Sequence, residues 1–281
     1  MDKFIIKKST LKKTQIKTWD KRYAITFGEV AILHVGGEEL GSGIRDNGFT
    51  TNELKSLAEK LGELAEYISV SSSLPDNLQK DNDAGVLVLR TGNSGQDSIP
   101  ISKDFADRLY MEQDKKVIYD NKYWDNRRGK TLNKRARTNI VFGEKERVHS
   151  SDYRLSSVKS FENLPQLDKF RKLLPIVFGE KASGLNAEGN NYFHNKSGIG
   201  FHGDAERKVV ICLSLGKSSV LRYHWRMPGS SDHTLEPVDI RLNHGDIYIM
   251  SEKATGHDWK KRSKVRVVHA AGHKNYINKG K

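Results

Sequence analysis

A histidine and an aspartate stand one residue apart in "GIGFHGDAERK" (198–208), at the end of a β-prone run that contains two glycines. Residues i and i+2 of a strand point to the same side, so His202 and Asp204 can offer two ligands to one metal ion. Two histidines and one carboxylate on one face of an octahedral Fe(II) leave the other positions open. The alternative is an ordinary polar turn at a strand end, and so short a pattern does not decide between the two.

The second histidine of such a facial triad has to come from a distant strand. "NHGDIYIMSEKATGHDWKKR" (243–262) offers His257, which follows a strand and a loop. A 2-oxoglutarate cosubstrate would also need a cation for its distal carboxylate on the next strand, and Arg266 follows His257 by nine residues. We therefore predict a catalytic metal centre of His202, Asp204 and His257. Arg266 is the predicted cosubstrate ligand.

Other residues compete for these roles. His244 and Asp246 form a second H-x-D pair, but their position between apolar strands favours a structural role. Tyr223, Trp225 and Trp259 can stack on a base, and the alternative is that they belong to the core of a sheet.

The elements that must position these residues differ between the two parts of the chain. Residues 22–37 predict a strand or hairpin, 50–68 an amphipathic helix with leucines at three- and four-residue spacing, and 86–90 a buried strand. Beyond about residue 109, short strands recur between turns, interrupted by a helix over 164–179. We predict an α+β chain with an accessory α+β domain at 1–108. A double-stranded β-helix (jelly-roll) catalytic domain with flanking helices would follow at 109–281.

Four motifs in order resemble the AlkB family of Fe(II)- and 2-oxoglutarate-dependent dioxygenases over roughly residues 120 to 272. "RGKTLNKRARTNIVFGE" (128–144) is similar to a family segment, with Ala136 where proline is usual and Arg137 in place. An N-x-Y pair, the H-x-D and the "LNHGDIYIM" strand follow. The N-terminal "ITFGEVAILHVGGEELG" (25–41) resembles the leading domain of AlkB-like fusions in large DNA viruses and some algae.

This resemblance implies a role for each matching residue. Iron would be bound by the predicted triad, the C5 carboxylate of 2-oxoglutarate by Arg266, and the cosubstrate also by Tyr192 and Asn190. Glu206 and Arg137 would contact the substrate. The chain departs from the family pattern R-x-N-x(3)-R at "RVVHAAG" (266–272), so either the register differs or His269 takes part.

The net charge of +13 is concentrated in three clusters, at residues 3–22, 122–138 and from 260 onward. Such clusters neutralise phosphates, although a solvated lysine-rich surface is the alternative. We predict a monomeric dioxygenase that oxidises a methyl or other C–H group on DNA or RNA, by demethylating an N-alkylated base or hydroxylating a C-methyl base. A protein side-chain hydroxylase on the same scaffold and a binding module without catalysis are the alternatives.

Apolar segments are short throughout the chain. None approaches the roughly 18 to 20 residues of a membrane span, and "MDKFIIKKSTLKK" (1–13) has too short an apolar run for a signal peptide. The single cysteine, Cys212, excludes an intramolecular disulfide. We predict an intracellular protein, cytoplasmic or nuclear and not secreted, without a membrane partner.

Overall fold

The computed structural model describes residues 19–29, 45–92, 97–231 and 235–278 of the 281-residue chain. Its strands are, in chain order, β1 (Arg22–Gly28), β2 (Ala65–Ser69), β3 (Gly85–Leu89), β4 (Lys122–Asp125), β5 (Lys130–Asn133), β6 (Thr138–Gly143), β7 (Val158–Ser160), β8 (Asn186–Tyr192), β9 (Gly198–His202), β10 (Val210–Gly216), β11 (Ser219–Arg226), β12 (Val238–Leu242), β13 (Ile247–Met250) and β14 (Arg266–Gly272). Its α-helices are α1 (Thr51–Leu61), α2 (Asp76–Gln79), α3 (Lys103–Lys116), α4 (Pro165–Phe178) and α5 (Lys274–Ile277). The prediction of a mixed α+β chain is confirmed.

Two sheets and a hairpin contain these strands. The large sheet has eight strands in the order β2-β3-β13-β10-β1-β8-β6-β7, and the small sheet has the order β12-β11-β14-β9. β4 and β5 form a separate two-stranded sheet among the described strands. The large sheet is compatible with a jelly roll. Among the described residues, no helix has the length and apolar character needed to cross a membrane.

The large sheet is covered on both faces, and β1 illustrates how. Tyr23, Ile25 and Phe27 belong to the apolar cluster that includes residues of α1, α3 and α4. Ala24, on the opposite side of the strand, belongs to a second cluster shared with the small sheet. Strands buried on both faces are apolar nearly throughout, which explains why β1, β3 and β10 lack clean alternation.

The helices agree only partly with the sequence pattern. α4 begins with Pro165 at its first position, close to the predicted 164–179. α1 begins at a capping box formed by Thr50 and Glu53, but it ends at Leu61, so the predicted helix over 50–68 was too long. Gly62, at φ 70°, terminates α1, and residues 65–69 form β2 instead. α3 was not predicted.

Strands on both sides of the predicted domain boundary near residue 108 share one sheet. β1 lies between β8 and β10, with Arg22 opposite both Tyr192 and Gly216, and β3 pairs with β13. The N-terminal strands therefore complete the sheet of the predicted catalytic domain. The predicted strand or hairpin over 22–37 continues beyond Glu29 into residues outside the described part of the chain.

This shared sheet predicts cooperative unfolding. Ile25→Ala removes a fully buried side chain from β1 and should lower the free energy of unfolding by about 2–5 kcal/mol. Chemical denaturation followed by circular dichroism should give one transition that shifts as a whole, and Lys60→Ala on exposed α1 surface should leave it in place. Two transitions, of which Ile25→Ala moves only one, would contradict the shared core.

Candidate metal centre

Two histidines and an aspartate converge between neighbouring strands of the small sheet. His202 ends β9, Asp204 follows it, and His269 lies on β14 directly opposite His202. The two imidazole centroids are 4.6 Å apart. Asp204 Oδ1 lies 3.6 Å from His202 Nε2 and 3.9 Å from His269 Nε2. One ligand atom from each residue lies within 4.8 Å of the others, so the group can hold a metal ion.

The glycine between His202 and Asp204 is required by a close backbone approach. A Cβ at Gly203 would lie 2.2 Å from the Gly256 carbonyl oxygen and 2.7 Å from the Trp259 ring. The Asp204 backbone N–H donates to the Thr255 carbonyl at 2.9 Å. The turn is therefore held against the loop that precedes β14, and this contact positions the carboxylate.

The protonation states suit metal binding. The His202 Nδ1 lies 2.8 Å from the Gly200 carbonyl, so the tautomer that donates there leaves Nε2 free to bind a cation. Burial lowers the pKa of His202, and burial together with the nearby His202 charge lowers the pKa of His269 to about 3. Burial opposes ionisation of Asp204, but the positive charge of Arg207 holds its pKa below the usual value. Two neutral imidazoles and a carboxylate result, the forms that bind metals.

The sequence analysis predicted His257 as the third ligand, but the structure does not place His257 in this group. Its Nδ1 lies 3.1 Å from the Glu252 carbonyl, and its Nε2 lies 3.8 Å from Glu252 Oε1. The segment between β13 and β14 turns back after a short 3-10 helix at Lys253–Thr255, so His257 stays beside that turn. The strand that pairs with β9 is β14, and the histidine that faces His202 is therefore His269.

Arg266 is likewise outside the cavity. It precedes His269 by three positions on β14, and because side chains alternate along a strand, the two point to opposite faces. Its guanidinium donates to the carbonyls of Trp259 and Met227, each at 3.3 Å, and to that of Ser230. Through these hydrogen bonds Arg266 connects the loop at 227–230 with the loop at Trp259 on the outer face of the small sheet.

The remaining predicted site residues do line one cavity with the metal-binding group. This cavity has a volume of about 140 Å³ and is lined by Asn190, Tyr192, Glu206 and Arg137 as well as by His202, Asp204 and His269. The Arg137 Nε donates to Asn190 Oδ1 at 2.6 Å. Burial raises the pKa of Glu206 to about 7, although Arg207 opposes the shift.

Three charged lining residues, Arg22, Glu188 and Arg207, were missed by the sequence analysis. Arg207 is 4% exposed, and its Nη2 lies 3.0 Å from Glu188 and 3.2 Å from Glu206. Arg22 is 5% exposed, its Nε and Nη1 have no hydrogen-bond partner among the described residues, and its guanidinium lies 4.8 Å from the centre of the Tyr192 ring. The available signal for Arg22 was an arginine at the start of an otherwise apolar strand.

The competing pair and the aromatic residues have other contacts. The His244 Nδ1 accepts the Gly216 N–H at 2.8 Å, and Asp246 accepts from Arg90 at 2.8 Å, so each serves the packing around β10 and β13. Tyr223 and Trp225 are 1% exposed core residues of β11. Trp259 is partly buried against Gly203.

No family model matches the chain. The uncharacterized protein R156 of Acanthamoeba polyphaga mimivirus is 35% identical over 269 residues, which span 94% of this chain and 99% of that protein. The chain belongs to the family of that mimivirus protein. Because the similarity spans nearly the whole of both chains, this family includes the N-terminal strands as well as the strands that hold the metal-binding group.

Metal titration distinguishes the two candidate histidines. His269→Ala should weaken Fe(II) binding by more than roughly 100-fold, since changes to the partners of metal ligands alone cost about 10- to 100-fold. His257→Ala is the matched control and should bind one Fe(II) with unchanged affinity in anaerobic titration calorimetry. Loss of binding in His257→Ala together with retention in His269→Ala would refute the centre.

Proposed function

We propose that the protein is an AlkB-like Fe(II)- and 2-oxoglutarate-dependent dioxygenase that acts on nucleic acid. The observation that carries the proposal is the convergence of His202, Asp204 and His269 in one cavity with the buried Arg22, two of whose guanidinium nitrogens have no hydrogen-bond partner among the described residues. Two imidazoles and one carboxylate are the donor set of non-haem iron oxygenases. The cavity lies between a large and a small sheet, which supports a jelly-roll assignment.

The residues present fit both groups of such an enzyme. His202, Asp204 and His269 would hold the metal. The Arg22 guanidinium would bind the distal carboxylate of 2-oxoglutarate. A buried guanidinium without hydrogen-bond partners is costly, and a carboxylate satisfies it with charge-assisted bonds. Tyr192, in contact with Arg22, would orient the same carboxylate. When bound, iron and 2-oxoglutarate supply the oxidation of a C–H bond by O₂, with succinate and carbon dioxide as the cosubstrate products.

Arg22 is not at the position where the sequence analysis expected the cosubstrate arginine. The expected location was the strand after the one that carries the distal histidine. In the described part of the chain only the short helix α5 follows β14, and the N-terminal β1 contributes the arginine instead.

The mouth of the cavity has features that suit a base and its phosphates. Arg207 holds Glu188 and Glu206 beside the metal-binding group, so their carboxyl groups can contact the donors of a base edge. A base reaches such a cavity only when it is flipped out or single-stranded.

Two basic segments lie next to residues that contact this site. In the β4–β5 hairpin Arg127, Arg128 and Lys130 are exposed. Lys134, directly after the hairpin, contacts Asn139. The Asn139 amide donates to the cavity residue Glu188 at 3.0 Å, so the hairpin is connected to the cavity through these two residues. The exposed basic residues at 260–264 follow Trp259, whose ring packs against Gly203. Phosphate contacts from both segments would position a strand across the cavity. The predicted N-terminal basic cluster lies largely outside the described residues.

Cosubstrate kinetics test the assignment of Arg22. Arg22→Met should raise the KM for 2-oxoglutarate roughly 10- to 100-fold, because it removes hydrogen bonds to a charged group. Arg266→Met is the matched control and should leave this KM unchanged, after circular dichroism has verified that each variant is folded. An increase confined to Arg266→Met would instead assign the cosubstrate to the outer arginine.

Nucleoside mass spectrometry tests the substrate. DNA and RNA carrying 1-methyladenine, 3-methylcytosine, 5-methylcytosine and thymine are incubated aerobically with the protein, Fe(II) and 2-oxoglutarate. We expect a methyl group lost or one oxygen gained on one of these bases, and no change with His202→Ala. Succinate formation without any modified base would favour a protein hydroxylase, and neither product would indicate a binding module.

A further inference from the structure

A second cavity, of about 100 Å³, shares Arg22 and Tyr192 with the cavity of the metal-binding group. It is formed where β8, β10 and β14 end and β1, β9 and β11 begin. We call it the back cavity, and its lining includes Arg22, His194, Ser197, Lys217, Ser219 and His273. None of the residues in this lining other than Arg22 and Tyr192 has a part in the proposed oxidation.

Two histidines of the back cavity are fixed as hydrogen-bond donors. The His194 Nδ1 accepts the Lys196 N–H at 3.0 Å, and the His273 Nδ1 accepts the Asn275 N–H at 3.2 Å. An imidazole that accepts at Nδ1 carries its proton on Nε2. Ser197 ties the two loops together, since its Oγ accepts the His194 N–H and its carbonyl accepts the His273 N–H. Both rings thus offer an N–H in a defined arrangement.

Three other donors of the back cavity have no hydrogen-bond or ion-pair partner among the described residues. Lys217 makes no ion pair with any described residue, and the Ser219 Oγ is buried without a hydrogen bond. The guanidinium of Arg22, more than nine-tenths buried, has unpartnered nitrogens and lines this cavity too. The carboxylate in the lining is that of the exposed Asp20. The two cationic side chains of the lining, Arg22 and Lys217, therefore outnumber its one carboxylate.

We propose that the back cavity binds a phosphate group. A tetrahedral oxyanion presents acceptors in several directions, which matches donors that come from the ends of β1, β8, β10 and β14. Its charge would be balanced by Lys217, and by Arg22 as long as no 2-oxoglutarate is bound. The phosphate can be free inorganic phosphate or the terminal phosphate of a nucleotide chain, which share this chemistry.

Titration calorimetry of the full chain with inorganic phosphate, in chloride buffer without iron or 2-oxoglutarate, tests the proposal. We expect one saturable site that Lys217→Ala and His194→Ala each weaken about 10-fold or more, as loss of a charged hydrogen bond does. Lys60→Ala, at an exposed position of α1, should bind as the wild type does. Because no cofactor is present, the result is independent of the proposed oxygenase activity.

A 5′-phosphorylated trinucleotide and its unphosphorylated counterpart distinguish the two sources. Tighter binding of the phosphorylated trinucleotide than of inorganic phosphate, lost in Lys217→Ala, assigns the site to a nucleotide terminus. Equal or weaker binding assigns it to free phosphate. The proposal is overturned if neither phosphate saturates the protein, or if Lys217→Ala and Lys60→Ala bind phosphate equally well.

Discussion

The cross-strand pairing of β9 with β14 is the interaction on which the site depends. It sets His202 opposite His269, and the register shift between His269 and Ala271 marks an irregularity directly beside the site. Bulges of this kind occur next to active sites, where they re-aim a side chain. The pairing also determines which side of β14 faces inward, and therefore which residues can reach a metal.

This arrangement requires compensation for buried charge. A buried carboxylate costs several kcal/mol unless it is paired. Asp204 has its compensation in Arg207, which also holds Glu188 and Glu206, so one guanidinium serves three carboxylates. Each member of this network is therefore costly to remove, and the polar half of the cavity is fixed before any ligand enters. The apolar half, lined by residues such as Leu221 and Met250, merges with the core between the sheets.

Much of the site followed from local sequence patterns. Alternation along a strand paired His202 with Asp204, and the motif match selected Asn190, Tyr192 and Glu206, which all line the same cavity. Local patterns also delimited α4. They misjudged α1, because the apolar spacing of 50–68 continues through a glycine turn into β2, and they missed α3, whose sequence is dominated by charged residues.

The same local patterns could not predict which strands pair with each other when they are far apart in the sequence. His257 and His269 are both histidines downstream of a strand, and only the pairing of β14 with β9 selects His269. Arg22 lies far from the other site residues in sequence, and its role depends on the insertion of β1 between β8 and β10. A division at residue 108 separated it from the cavity it lines. The predicted and observed site residues differ because the strand partners were unknown, and not because the residue types were misread.

Anomalous diffraction from crystals of the protein grown anaerobically with Fe(II) tests the central claim most directly. We expect one strong iron peak within bonding distance of His202 Nε2, an Asp204 oxygen and His269 Nε2. A peak bound by His257 and Glu252, or no iron at the His202 and Asp204 pair, would contradict the metal centre described here.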